Sequence, residues 1–210
     1  MKRFALALWL LLPVGGLGYH FGPGQDRLRL DDAARLSDAA YTAAQEARFT
    51  AESRGDDAAR PLWAKAEAAF AETLAAMPQD CVHDARVLRL ERAKAQLNAS
   101  KLPAAREALL QLVRELEKDG SDKALLADAR DTLGNAQYFT TWLMRLEGEP
   151  RDVWETEIEG ARQNFRMLAE RAEQEGRTDA AAQATESLES ALRLARMDLT
   201  ELQGLPLPSV

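Results

Sequence analysis

Ala66-Glu67-Ala68-Ala69-Phe70 places a small residue and a large apolar residue one helical turn apart, and the same spacing returns in Ala105-x3-Leu109 and Ala161-x3-Phe165. Residues four apart lie on one face of an α-helix, one above the other. A small residue there lets a second helix approach closely, and the large residue fills the space beside it. The three segments therefore predict pairs of closely packed helices that stack on one another.

The composition indicates an all-α chain. Hydrophobic residues make up 46% of the sequence but aromatic residues only 6%, and the commonest residues, alanine, leucine, arginine and glutamate, are strong helix formers. Glycine and proline fall between the apolar-periodic segments, where they end helices. We expect about seven helices, made antiparallel by short loops, over the ranges Asp32–Ser53, Ala58–Met77, Cys81–Ala99, Lys101–Asp119, Ser121–Glu147, Arg151–Gly176 and Thr178–Gln203. Asp80, Ser100 and Ser121 are the expected N-caps of helices three, four and five.

Helical hairpins whose second helix carries an alanine, an aromatic residue four positions on and a terminating proline resemble tetratricopeptide (TPR) repeats. The residues that carry this resemblance are Ala66, Phe70 and Pro78 in the first hairpin, Ala93, Ala105 and Leu109 in the second, and Gly134, Ala161 and Phe165 in the third. The resemblance implies a right-handed stack of antiparallel hairpins, held by these packing residues and closed by the last helix as a cap.

The spacing of the repeats departs from that family. Ala66 and Ala105 are 39 residues apart and Ala105 and Ala161 are 56 apart, whereas a TPR repeat has about 34 residues. The extra residues of the third hairpin should lengthen both of its helices. A plain helical bundle stays open as the alternative arrangement.

The N-terminus has the features of an export signal. Lys2 and Arg3 precede the apolar run Phe4 to Leu12, and small residues follow at Gly16-Leu17-Gly18. This order is typical of a secretory signal, and the uncharged stretch to Phe21 is also long enough for an uncleaved membrane anchor. We therefore expect a signal peptide or transmembrane anchor in residues 1–21, a linker in 22–30, the helical domain in 31–204 and a disordered tail in 205–210. The body is expected outside the cytoplasm, on the periplasmic side of the cell envelope.

Several functional classes are disfavoured by the sequence. The formal net charge is −7, and arginines alternate with acidic residues without a basic stripe, which argues against nucleic-acid binding. The only histidines are His20 and His83 and the only cysteine is Cys81, so neither a paired nucleophile and base nor a second half of a metal site accompanies Cys81-Val82-His83. We expect no enzymatic activity, no cofactor and no metal.

Two sets of residues are candidates for binding a partner. The stretch Tyr138 to Glu147, with Trp142 and Arg145 on it and Trp154 across the next turn, is unusually apolar. It could form an exposed aromatic–arginine patch, since Trp, Tyr and Arg dominate interface hot spots, or the long hairpin could pack on itself; both interpretations remain open. The TPR resemblance also implies a concave face of first helices, on which Lys94, Asn135 and Gln137 are the polar candidates, while Asp128 and Asp131 disfavour recognition of a terminal carboxylate.

These observations lead to one expected function and one alternative. The chain is expected to be a membrane-anchored or exported TPR-like adaptor or scaffold that mediates protein–protein interaction in the cell envelope. The alternative is a structural subunit of a membrane complex that associates with itself.

Overall fold

The computed structural model describes the backbone of residues 23–205 and the side chains of residues 30–205. This part of the chain forms eight helices joined by turns: α1 (Pro23–Arg54), α2 (Asp56–Ala76), α3 (Val82–Asn98), α4 (Leu102–Asp119), α5 (Lys123–Leu146), α6 (Arg151–Gln174), α7 (Thr178–Arg196) and α8 (Leu199–Gln203). None of these eight helices is both long and apolar enough to cross a membrane. The expected signal or anchor, residues 1–21, and nearly all of the expected tail lie outside the described residues.

The helices form a stack of antiparallel neighbours, so the expected all-α, TPR-like fold is confirmed. Each helix from α1 to α7 packs mainly on the one before it and the one after it in the chain. Three hairpins result, α1–α2, α3–α4 and α5–α6, followed by α7 and the short α8. The third hairpin is longer than the second, as its extra residues predict: α5 and α6 have 24 residues each, against 17 in α3 and 18 in α4.

The core lies between the layers of hairpins and is divided into three clusters. The first joins α1, α2 and α3 around Phe70, the second joins α3, α4 and α5 around Leu109, and the third joins α5 to α8 around Phe165. Each of these large side chains is at most 1% exposed, and burial of one such side chain stabilises the fold by about 1.5–3 kcal/mol. The α1–α2 contact is made largely by alanines of α1, with the Tyr41 ring edge-on to Phe70 at 5.4 Å between centroids.

Left-handed residues end most of the long helices. Gly120, Gly148 and Gly176 take positive φ after α4, α5 and α6, as expected for residues that follow a helix C-terminus. After α3 this position belongs to Ser100, with φ 60°. Backbone N–H groups of Ser100 and Lys101 donate to the carbonyls of Leu97 and Gln96, which is a Schellman motif. The expectation that Ser100 caps helix four is therefore wrong, because its backbone is already committed to closing α3.

Other helix ends also differ from expectation. Helix α1 begins at Pro23, so most of the segment interpreted as a linker is helical; proline is well suited to the first position of a helix. The last expected helix is two helices, because Met197 is extended and Asp198 caps α8 by accepting a hydrogen bond from the N–H of Glu201 at 2.8 Å. Helix α5 is capped by Asp122 and not by Ser121, with 2.9 Å from its Oδ1 to the N–H of Leu125. Helix α3 follows Cys81 without a side-chain cap, so Asp80 does not cap it.

Candidate functional site

The first helices of the hairpins, α1, α3 and α5, and then α7, line one side of the stack, which we call the inner face. A groove lies between α1 and α3, an ion pair joins α3 to α5, and a recess lies between α5 and α7. The second helices are tied to their neighbours separately, for example by the ion pair of Arg106 in α4 with Glu157 in α6. The inner face is therefore open between α1 and α3 and between α5 and α7, and it is joined by an ion pair between α3 and α5.

The groove between α1 and α3 has a volume of about 260 Å³. Most of its lining is apolar, and Asp84 is the only charged residue among the lining residues that the structure describes. The lining residues are Leu30, Ala33, Ala34, Ser37, Tyr41, Met77, Cys81, Asp84, Val87 and Leu88. Leu30 is exposed and Tyr41 stands at the rim with about a third of its surface accessible, so both can be reached from solvent.

Acidic side chains continue from this groove towards α5. The ammonium of Lys94 donates to Oε1 of Glu91 at 2.9 Å and to Oδ2 of Asp128 at 3.2 Å. Although burial opposes the charge on Lys94, these two carboxylates outweigh it and raise the pKa of the ammonium. One lysine therefore serves two acidic partners, one on its own helix and one on α5.

Asp131 follows Asp128 by one helical turn and is half-buried. Among the described residues it has no ion pair within 4.0 Å. Burial raises the pKa of its carboxyl, the neighbouring Asp128 raises it further, and Lys94 only partly opposes them. The negative charge of Asp131 is therefore only partly balanced by the positive charge near it.

The recess between α5 and α7 contains two of the predicted binding residues, Asn135 and Tyr138. It measures about 230 Å³ and is also lined by Phe165, Glu186, Ser187 and Ser190. Asn135 is exposed and Tyr138 is half-buried, and burial raises the pKa of the Tyr138 hydroxyl. The structure therefore brings Lys94, Asn135 and Tyr138 to the inner face, but not into one pocket.

Trp142 and Trp154 belong to the core and not to the surface, which corrects their interpretation as an exposed patch. Trp142 is 4% exposed and Trp154 is 8% exposed, and both belong to the cluster around Phe165. The physical reason is that α5 contacts α8 as well as α6, so this long helix is covered on more than one face. The interpretation in which the hairpin packs on itself is the one that the structure shows.

Arg145 has a structural role in the same region. Its guanidinium donates to the backbone carbonyls of Leu194 and Met197 and lies over the Trp154 ring, 5.0 Å from the centroid. These contacts satisfy carbonyls at the C-terminus of α7, where the helix has no partner of its own. Arg145 therefore fixes the end of α7 to α5 and is not free to contact a partner.

Gln137 is also buried. Its Oε1 accepts a hydrogen bond from Asn164 in α6 at 3.0 Å. A Cβ added to Gly160 would lie 2.3 Å from the amide nitrogen of Gln137, which is too close for both groups to fit. On the other side of the same interface, a Cβ on Gly134 would lie 2.7 Å from the Phe165 ring. Each helix of this hairpin thus uses a glycine to admit a large side chain of the other.

All eight residues predicted to pack the repeats are buried: Ala66, Phe70, Ala93, Ala105, Leu109, Gly134, Ala161 and Phe165. Four residues of these helix interfaces and of the inner face were not predicted from the sequence: Gly160, Tyr41, Asp84 and Glu91. Gly160 could have been found as a glycine inside a periodic helix, which usually marks close packing. Asp84 and Glu91 could have been found from their spacing with Val87, since all three share one face of α3.

Comparisons with protein-family models, with curated proteins and with solved structures find no match to this chain.

Proposed function

We propose that the protein is an adaptor that holds a segment of a protein partner along its inner face. The observation that carries this proposal is the apolar groove between α1 and α3, which remains accessible while the rest of the apolar surface nearby is packed into the core. Its volume lies below the range of about 300–1,000 Å³ that is usual for small-molecule pockets. A groove of this volume, lined by residues from Leu30 to Tyr41 along α1, suits side chains of a polypeptide better than a compact metabolite.

Binding by such a scaffold needs little rearrangement. The groove is formed by helices that the cores beneath them hold in place. The conformational entropy lost on binding is therefore that of the partner segment and not of the scaffold. Exposed polar residues such as Asn135 would set the position of the partner's backbone. The buried residues Trp142, Arg145 and Trp154 would contribute only by keeping the hairpins in place.

We also propose that the adaptor works at the cell envelope with its body on the periplasmic side. The support is the N-terminal order of Lys2-Arg3 followed by the apolar run from Phe4, which is typical of a signal or an anchor. Fractionation of cells that express the full chain tests this part. Recovery of the full chain in the cytosol would contradict it.

Site-specific photo-crosslinking in cells tests the adaptor proposal. A photoreactive phenylalanine analogue is placed in the full chain at Ala34 or Asn135, both exposed on the inner face, and as a control at Glu107, exposed on α4. We expect a discrete heavier species from the two inner positions and not from Glu107. If all three positions give the same products, or none does, the adaptor proposal fails. An adduct of twice the chain mass would support the self-associating structural subunit instead.

A further inference from the structure

The inner face carries an excess of negative charge around its apolar groove. Asp84 lines the groove, Glu91 lies two helical turns further along α3, and Asp128 and Asp131 follow on α5. Tyr41 and Asp84 line the same groove, and Glu91 and Asp128 are joined through Lys94; burial raises the pKa of the Tyr41 hydroxyl, and the nearby carboxylates of Glu91 and Asp84 raise it further while Lys94 lowers it. Four carboxylates therefore border the groove and the ridge beside it.

Within the described residues, two cations next to this set, Lys94 and Arg177, are already paired with carboxylates. Lys94 is engaged by Glu91 and Asp128. Arg177 lines a second recess, between α5, α6 and α7, together with Asp128 and Asp131, but its guanidinium is 2.8 Å from Glu175. Asp131 faces the same recess half-buried and without an ion pair within 4.0 Å among the described residues. A further positive charge placed against Asp131 would gain Coulomb energy that is weakly screened there.

We propose that this face binds a basic segment of a protein partner, with an apolar side chain seated between Leu30, Tyr41 and Val87 and a lysine or arginine placed against Asp128 and Asp131. This inference rests on the adaptor proposed above and names the chemistry of its partner. Complementary charge selects the partner and orients it, while the apolar groove supplies burial. An acidic segment would meet like charges at Asp84, Asp128 and Asp131.

Peptide binding to the full chain tests the chemistry. The probe is a fluorescein-labelled 14-residue peptide of leucine and lysine, with the leucines at helical spacing; the matched peptide has glutamate in place of every lysine. Fluorescence anisotropy should show at least tenfold tighter binding of the lysine peptide, with affinity falling as salt is raised. Equal affinity of the two peptides would overturn the proposal.

Because the whole chain is negative, charge alone could attract the lysine peptide, so the site must be tested separately. The double variant Asp128→Asn with Asp131→Asn should weaken binding of the lysine peptide about tenfold. The control is the double variant Glu107→Gln with Glu170→Gln, which changes the net charge by the same amount at two exposed positions on α4 and α6. Equal loss in both double variants would mean that binding follows net charge only, and the proposal would fail.

The groove is tested by filling it. Ala34→Trp places an indole at the lining, whereas Ala39→Trp adds the same group to an exposed position of α1 outside it. We expect only Ala34→Trp to weaken binding of the lysine peptide.

Cys81 also lines the groove and is the only cysteine. The rate of its alkylation, measured by mass spectrometry, should therefore fall when the peptide binds. An unchanged rate with bound peptide would place the peptide elsewhere.

The two proposals fail in different ways. If crosslinking from Ala34 and Asn135 captures a partner but the lysine peptide is no better than the glutamate peptide, the adaptor stands and the basic partner is wrong. If crosslinking captures nothing from the inner face, the adaptor itself is wrong.

Discussion

Replacing Gly134 by alanine should destabilise the protein, although alanine is the better helix former. A Cβ at position 134 would lie 2.7 Å from Cε1 and 3.0 Å from Cζ of Phe165. That ring is 1% exposed and belongs to the core cluster with Trp142, Trp154 and Ile158, so a shift of the ring, even towards the recess that it also lines, would weaken its packing in that cluster. Overpacking a core costs about 1–3 kcal/mol, and the helix propensity of alanine returns about 1 kcal/mol. The difference is a net loss of about 0–2 kcal/mol, and because a contact of 2.7 Å cannot be made without moving the ring, we expect the upper half of that range, about 1–2 kcal/mol.

The assay is urea unfolding of the full chain, followed by tryptophan fluorescence, with the slope on urea compared between variants. Ala68→Gly, at an exposed position of α2, measures the propensity term alone, with an expected loss of about 1 kcal/mol. In the background of Phe165→Leu, which removes the edge of the ring, Gly134→Ala should become neutral or stabilising. If Gly134→Ala is as stable as the original chain, or if its effect is the same with and without the ring, the close approach at this glycine is not what sets the packing.

Three further predictions concern stability. Ser100→Gly should stabilise the chain by about 0.5–1 kcal/mol in chemical unfolding, because glycine takes the positive φ of this position without strain; a loss of stability would contradict the Schellman geometry. Glu67 is 8% exposed, and although burial favours its neutral form, hydrogen bonds from Lys101 and Arg92 lower the pKa of its carboxyl below the ordinary 4.5. Glu67→Gln should therefore cost about 1–3 kcal/mol at neutral pH. A carboxyl whose pKa is lowered in the folded state stabilises the fold when the pH is above its unfolded pKa, and this contribution is lost as the pH falls through its folded pKa. The free energies of unfolding of Glu67→Gln and of the original chain should therefore converge below pH 4.5. A difference between them that stays constant with pH would refute the ion pairing. Arg145→Met should cost about 2–3 kcal/mol, since two charge-assisted hydrogen bonds are lost, and hydrogen exchange should accelerate in the second half of α7 but not in α1; uniform acceleration would mean a global effect.

The sequence predicts those parts of the fold that depend on local pattern. The alanine–aromatic spacing places Phe70, Leu109 and Phe165 in the core because residues four apart share a helix face whatever the rest of the chain does. The length of the third hairpin follows from the same kind of pattern, since helix-forming residues fill the chain on both sides of the Gly148-Glu149-Pro150 break, from Gly134 to Leu146 and from Arg151 to Ala161. Helix ends that depend on one backbone angle, as at Ser100, are less visible because only glycine marks a positive φ reliably.

The candidate site is less predictable because it depends on which helix faces are covered. Trp142 is covered because α5 meets α8 as well as α6, and this contact depends on the break at Asp198, which is a single capping residue in an otherwise helical stretch. Gln137 is covered because Gly160 leaves room for it in the opposite helix. Lys94 and Asn135, by contrast, sit on ridges of first helices, which a hairpin stack leaves accessible.

Because the hairpins pack almost entirely on their neighbours along the chain, most contacts of a given helix are complete once the next one or two helices have been made. Chains built this way can gain structure in the order in which they leave the ribosome, without waiting for the C-terminus. The core around Phe70 needs nothing beyond α3, so the groove between α1 and α3 can be complete while the third hairpin is still being synthesised.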